Sequence, residues 1–436
     1  MKKIVVCFIF LMLCTRIFAV PQYELAYRIS GSGALILPDG KVDPFVKRPT
    51  LGGQFSVEFL PTGWKCLQQW NNASIGAGVS YLNLGNDAKL GSAIALYGYM
   101  NQPFYNGEHF RLGLRPIIGL AAVTKTYRNT LPEGYTPYNS RDGGFKEANQ
   151  SIGSILNAYL ALMLYVDFPI TRGWEITMAG GWQHISNGSV MHPNAGYNFV
   201  GGEVGVRYNP NLRGVRYGLR SRMPKPEVPH RLYDGVEKKW AVEISASGGL
   251  RQNYYGDNIN KMQFFGVAAL KASAYWVPLS IFRIGGGLDV FYDGYYACVN
   301  DEYAETHPKA PVTYFGKTYL KNSNKDNCFR VGLSIQPELI VGNLTAGVHV
   351  GFYIHDPVKN LEPFNEAQKA DLAGTPLKRG VFYAYDFTKA SNYQDGWCYM
   401  HFVLKYHIIP NLFVQLGMKT HGVRAEFIDA GIGVAL

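Results

Sequence analysis

Charge is scarce in this chain: only 17% of its 436 residues are Asp, Glu, Lys or Arg. A water-soluble protein of that length carries more. Long apolar runs are missing too. Beyond residue 19 no stretch approaches the roughly 20 residues that a bilayer-spanning helix needs, which excludes a helical membrane protein. Cysteine is sparse, and Cys66, Cys298, Cys328 and Cys398 form no CxxC or Cys/His spacing, which leaves no zinc or dithiol motif. GxSxG, HExxH, Walker and GxGxxG arrangements in their proper context are also lacking. The familiar soluble hydrolase, NTPase and dinucleotide signatures are therefore out.

The first residues have the layout of a secretory signal peptide. Lys2-Lys3 precede an apolar run from Ile4 to Phe18, and Ala19 offers a cleavage point. Removing residues 1–19 takes three basic residues from a net charge of +10, leaving +7 on the remainder. A modest positive excess on an exported chain suits anionic lipid surfaces better than nucleic acid. In an oxidising compartment a Cys298–Cys328 disulfide is plausible, since both residues border one expected loop; free buried thiols are the alternative.

Glycine (49 residues) and tyrosine (30) are abundant, and aromatics reach 14%. The hydropathy period beyond residue 20 is two rather than 3.6. In 344–354, Leu, Ala, Val, Val, Phe and Ile alternate with Thr345, Gly347, His349, Gly351 and Tyr353. Segments of about ten residues alternating in this way are the mark of an antiparallel outer-membrane β-barrel. A soluble β-sandwich would have shorter strands and a smaller chain. Sixteen candidate strands are expected, near 22–30, 52–60, 73–83, 89–101, 109–123, 154–167, 173–186, 197–208, 239–250, 263–276, 281–293, 328–341, 344–354, 396–407, 411–420 and 425–435.

The reading is all-β, one barrel domain over residues 20–436 with 12–16 strands. Long connections at 124–153, 294–327 and 355–395 fall on the outer side, and tight ones such as Gly342-Asn343 on the periplasmic side. One connection breaks this rule: 209–238 is long, Pro-rich and basic, yet falls on the periplasmic side. Its default reading is a solvated loop.

The chemistry centres on Trp182-Gln183-His184-Ile185-Ser186-Asn187-Gly188. Strict alternation puts Trp174, Ile176, Met178, Trp182, His184 and Ser186 on the lipid face, and Glu175, Thr177, Gln183 and Ile185 on the lumen face. Two polar groups facing lipid at the outer rim suggest work on lipid; two unremarkable polar residues near the headgroups are the plainer alternative. A serine hydroxyl becomes a useful nucleophile only beside a base, and the base needs a partner that sets its tautomer. Ser186 and His184 are two residues apart on one face. Asn198 opens the following strand on the same face, whereas Glu203 points to the lumen, so the expected set is Ser186, His184 and Asn198. Amides of the turn that follows Ser186 are the candidates for stabilising an oxyanion. No cofactor or metal is needed, because acyl transfer from serine requires only a base and an oxyanion hole. His192, in the turn, is read as solvent-exposed. Arg283, Asp289 and Lys419 are read as lumenal filling, and His421 as a rim residue with no assigned part.

His184-x-Ser186-Asn187-Gly188 followed by Pro193-Asn194-x-Gly196-x-Asn198 resembles the lipid A 3-O-deacylase (PagL) family, in particular its longer acyloxyacyl-hydrolase-like relatives. The resemblance implies an outer-membrane serine esterase acting on lipid A or lipopolysaccharide of the outer leaflet. In it His184 matches the base and Ser186 the nucleophile; Asn187 and Asn194 fall near the oxyanion-stabilising region. The acidic third member falls on Asn198, a departure from the acid-bearing enzymes. Outer-membrane phospholipase A shares HxSNG and an Asn twelve residues after its serine, as Ser186 and Asn198 are here. That family's calcium site uses an Arg and a Ser where this chain has Ser189 and Asn194, so the resemblance carries no calcium requirement. Phospholipid hydrolysis and a non-catalytic channel or transport barrel are the two alternatives.

Overall fold

The computed structural model describes residues 23–436 apart from 39–41, 62–63, 108, 135–146, 172, 211–239, 256–257, 298–312, 315–316, 319–327, 357–397 and 423. Its strands form two closed antiparallel barrels of eight. The first comprises β1 (Tyr23–Ile36), β2 (Thr50–Pro61), β3 (Ser74–Asn83), β4 (Ser92–Asn106), β5 (Arg111–Val123), β6 (Leu156–Thr171), β7 (Trp174–Ser186) and β8 (Tyr197–Tyr208). The second comprises β9 (Trp240–Tyr255), β10 (Asn258–Leu279), β11 (Phe282–Asp293), β14 (Phe329–Val341), β15 (Leu344–His355), β16 (Cys398–Ile409), β17 (Leu412–His421) and β18 (Arg424–Ala435). Between β11 and β14 lies a two-residue-per-arm hairpin, β12 (Thr313–Tyr314) and β13 (Lys317–Thr318).

All sixteen expected strands are present, but the single barrel of 12–16 strands is corrected to two of eight. Strand β8 returns to pair with β1, from Tyr27↔Tyr208 to Ile36↔Phe199, and so closes the first sheet on itself. Strand β18 does the same with β9, from Ala430↔Gly248 to Ala435↔Glu243. The basic connection that broke the length rule is thus the junction between two closed sheets and not a turn within one. Its conformation, like the leader and the Cys298 end of the expected disulfide, lies outside the described residues.

An eight-stranded barrel is just wide enough for side chains to fill it, and both barrels are filled. In the first, Glu58 meets Arg28 at 3.2 Å and Arg207 at 2.7 Å, and Arg207 also reaches Glu175 at 2.6 Å. Arg111 pairs with Asp167 and Arg115 with Glu203, each at 2.5 Å. In the second, Arg283 and Lys405 both bond Glu338 and Glu243, Asp289 accepts from Tyr399, and Lys419 pairs with Glu426. Every inward charge named here is buried and finds a partner, as an interior cut off from water demands. The outer faces carry Ile29, Leu51, Phe55, Leu96, Trp182 and Val204 in the first barrel and Trp240, Leu270, Ile335 and Ile432 in the second, all exposed. Apolar outside and ionic inside is the inverse of a soluble protein and the arrangement of an outer-membrane barrel. Among the described residues no helix is long and apolar enough to cross a membrane.

The barrels touch at both ends. At one end Trp70, in the β2–β3 connection, donates Nε1–H to the carbonyl of Ile340 on β14 at 2.9 Å. At the other, the β7–β8 turn meets β9 and β18, with His192 N–H donating to Gln252 Oε1 at 2.9 Å. Both barrels therefore point the same way.

Candidate active site

Strand β7 alternates as expected: Glu175, Thr177, Gln183 and Ile185 are buried in the lumen, while Trp174, Ile176, Met178 and Trp182 are exposed outside. His184 and Ser186 share the outer face at the end of the strand. Register pairs His184 with Asn198 directly across the β7–β8 ladder. That cross-strand position brings side chains on one face within hydrogen-bonding reach.

The three side chains form a chain of contacts. Ser186 Oγ lies 2.7 Å from His184 Nε2, and His184 Nδ1 lies 2.9 Å from Asn198 Oδ1. With Nδ1–H donating to the amide oxygen, Nε2 is left as the acceptor for the serine hydroxyl, the polarity a general base requires. The indole of Trp182 stacks on the imidazole, centroids 5.6 Å apart and planes 14° apart, and limits rotation of the ring. Ser186 itself is buried, whereas His184 and Asn198 are half-buried.

Glycine is required at position 196. Its φ is +78°, and a Cβ there would stand 2.8 Å from His184 Cε1 and 3.1 Å from Ser186 Cβ. The backbone of Gly196 thus comes close beneath the imidazole, and its N–H donates to Ser151 O at 2.8 Å. Residues 149–154, before β6, support the site from below: Asn149 Nδ2 donates to Tyr197 Oη at 2.6 Å, and Ser154 Oγ accepts from Asn187 Nδ2 at 2.8 Å.

The supporting residues separate in role. Asn187 is a brace, because its Nδ2 also donates to Met191 O at 2.9 Å and its Oδ1 accepts from Met191 N–H. Its backbone N–H is engaged as well, by Asn194 Oδ1 at 3.2 Å. The Gly188 and Ser189 N–H groups, at φ +60° and +68°, and the Nδ2 of Asn194 are donors of this connection for which no protein acceptor is found among the described residues. Glu203, set aside on sequence grounds, bonds Arg115 inside the lumen. His192 is half-buried against the second barrel rather than solvent-exposed, and His421 contacts Tyr353 Oη at 2.9 Å and Glu426 at 3.3 Å. No cluster of metal-ligating side chains occurs among the described residues.

Gly196 and the second-barrel residues Gln252, Ala425 and Ile428 were not anticipated. The first carries a faint sequence signal, a glycine in the Pro-Asn-Ala-Gly turn. The others carry none, since nothing in local spacing says which strands of another sheet will stand beside a turn.

Residues 53–207 match the family model for lipid A 3-O-deacylase (PagL), a span that contains the whole Ser186–His184–Asn198 set. Residues 240–366 match the model for the acyloxyacyl hydrolase C-terminal domain. Together the two models take in most of both barrels. The chain belongs to the lipid A 3-O-deacylase family. Solved structures similar to it include the outer-membrane enzyme PagL, at 13% identity over 41% of this chain and 97% of that one, with a TM-score of 0.25. Neisserial surface protein A matches at 12% identity over 43% of this chain and 96% of that one, TM-score 0.26. A porin from Rh. blastica aligns over 95% of this chain at 10% identity, TM-score 0.16. At such identities and TM-scores these structural likenesses carry no argument about function. No curated protein matches. Membership in the deacylase family rests on the two family models, and it agrees with the resemblance read from the HxSNG segment.

Proposed function

We propose that this protein is an outer-membrane serine esterase that removes an ester-linked acyl chain from lipid A. Ser186 Oγ attacks the ester carbonyl while His184 Nε2 takes its proton. The tetrahedral oxyanion is stabilised by Gly188 N–H and Asn194 Nδ2, and its collapse expels the sugar alkoxide, which receives the proton from His184. Water then repeats the sequence on the acyl-serine, releasing a fatty acid and restoring the Ser186 hydroxyl. Asn198 holds the imidazole in the tautomer that accepts from serine and does not touch substrate.

The observation that carries this reading is the 2.7 Å Ser186–His184 contact continued by the 2.9 Å His184–Asn198 contact, on the membrane-facing rim of a barrel whose lumen is full. A substrate with its ester near the headgroups reaches that rim from the bilayer, and no pore is needed. The ion-paired lumens also work against the channel alternative. Cleavage of the leader after Ala19 belongs to the same proposal, because only an exported chain reaches the outer membrane.

The test is mass spectrometry of lipid A from cells making the parent protein or Ser186→Ala. Loss of one hydroxyacyl mass with the parent and intact lipid A with Ser186→Ala is expected, unchanged by chelator. Equal deacylation by both proteins would refute the nucleophile. Calcium-dependent fatty-acid release from glycerophospholipid alone would move the reading to a phospholipase.

A further inference from the structure

The closing seam of the second barrel is open at its outer end. Pairing between β9 and β18 stops at Ala430↔Gly248, although β9 continues to Tyr255 and β18 begins at Arg424. Opposite β17 the register of β18 slips, Lys419↔Phe427 giving way to Thr420↔Ala425, so Glu426 is an extra residue there. Glu426 and Phe427 both turn inward and are buried. A bulge of this kind bends a strand and leaves polar backbone groups off the ladder. Such an unpaired sheet edge seeks a partner.

The partner is the turn that follows Ser186. Gln252 N–H donates to Ser189 O at 3.2 Å, Gln252 Oε1 accepts from His192 N–H at 2.9 Å, and Ala425 O accepts from Ser189 Oγ at 2.6 Å. The side chain of Ile428 closes on Gly188, where a Cβ would stand 2.5 Å from its Cδ1. Gly188 and Ser189 are both left-handed, φ +60° and +68°, a conformation a serine keeps only when its surroundings hold it. Ser189 is buried, and its carbonyl and hydroxyl are both bound by the second barrel.

We propose that the second barrel braces the oxyanion turn of the first, with Gln252 the positioning residue that fixes the direction of the Gly188 N–H. The inference rests on the serine-esterase reading above. Gln252 touches no reacting atom; it acts through Ser189 and His192 on the donor beside Ser186. A donor helps only when aimed at the position the oxyanion will take. The seam therefore adds to turnover more than to substrate capture, and the turn keeps its shape only while both barrels are in place.

The full-length protein is tested as Gln252→Leu and Gln252→Glu. Leucine removes the acceptor for His192 N–H at similar volume, and glutamate keeps an acceptor oxygen. Both are checked for heat-modifiable migration as folded barrels. On a short-chain p-nitrophenyl ester, Gln252→Leu is expected to lower kcat by about ten- to a hundred-fold with KM unchanged, the scale of a small misplacement of a catalytic group. Gln252→Glu restores most of it. Amide hydrogen exchange over residues 187–196 is expected to rise in Gln252→Leu and stay low in Gln252→Glu. Parental kcat in the leucine variant, or equal losses in both variants, overturns the proposal. A parent that shows neither Ser186-dependent turnover nor fluorophosphonate labelling sinks the esterase reading instead. The brace is then judged on hydrogen exchange alone, and unchanged protection in Gln252→Leu overturns it.

Discussion

Asn198→Asp separates an orienting amide from an electrostatic one. Aspartate is isosteric with asparagine, so the 2.9 Å contact to His184 Nδ1 survives while the partner becomes an anion. In the transition state the imidazole acquires a positive charge. A carboxylate about 4 Å from the ring's charge centre stabilises that imidazolium by at most about 4 kcal/mol at an effective dielectric constant near 20. Two effects reduce the gain. The site is half-buried at the rim, where headgroup water and salt screen the pair, and the new carboxylate loses part of its own hydration. A net of about 1–2 kcal/mol remains, or roughly 5- to 30-fold in kcat. The assay is kcat on a short neutral ester, because on lipid A the added anion would also repel substrate phosphates and raise KM. Asn198→Leu, which leaves Nδ1–H without an acceptor, should fall below the parent. The expected order is Asp, then Asn, then Leu. If Asp is no faster than Leu while both barrels remain folded, position 198 does not act through the imidazole and the proposed set is wrong.

Two further outcomes follow from the same contacts. Gly196→Ala would drive a methyl to 2.8 Å from His184 Cε1 in a backbone with φ +78°. About a hundred-fold loss of kcat is expected with the fold retained, read by ester turnover against heat-modifiable mobility. Glu58→Ala removes the anion shared by Arg28, Arg111 and Arg207 in the lumen of the first barrel. Leaving buried guanidinium groups short of a counter-charge costs about 3–5 kcal/mol, seen as a lower urea midpoint for unfolding from vesicles. Because Glu58 lies towards the end of β2 remote from Ser186, kcat of the folded fraction should not change.

Local pattern was enough to reveal the strands and the two faces of β7 and β8, and to place the side chains of Ser186, His184 and Asn198 side by side. Side-chain direction in a strand has period two, and the antiparallel ladder sets the end of β7 beside the start of β8, where His184 pairs with Asn198 across the ten residues that join them. The same parity was enough to dismiss Glu203, which does lie inside the lumen. What parity cannot tell is where a sheet closes. Each strand of one sixteen-stranded barrel and of two eight-stranded barrels has the same alternation, and the choice lies in whether β8 turns back to β1 or moves on to β9. That is a long-range pairing, made by backbone groups identical in every residue, and here it was settled in favour of two narrow cylinders packed with ion pairs. The clamp on the Ser189 turn follows from that closure alone. It consists of edge groups left over where β9 and β18 part, and only the meeting of two finished sheets gives them a partner.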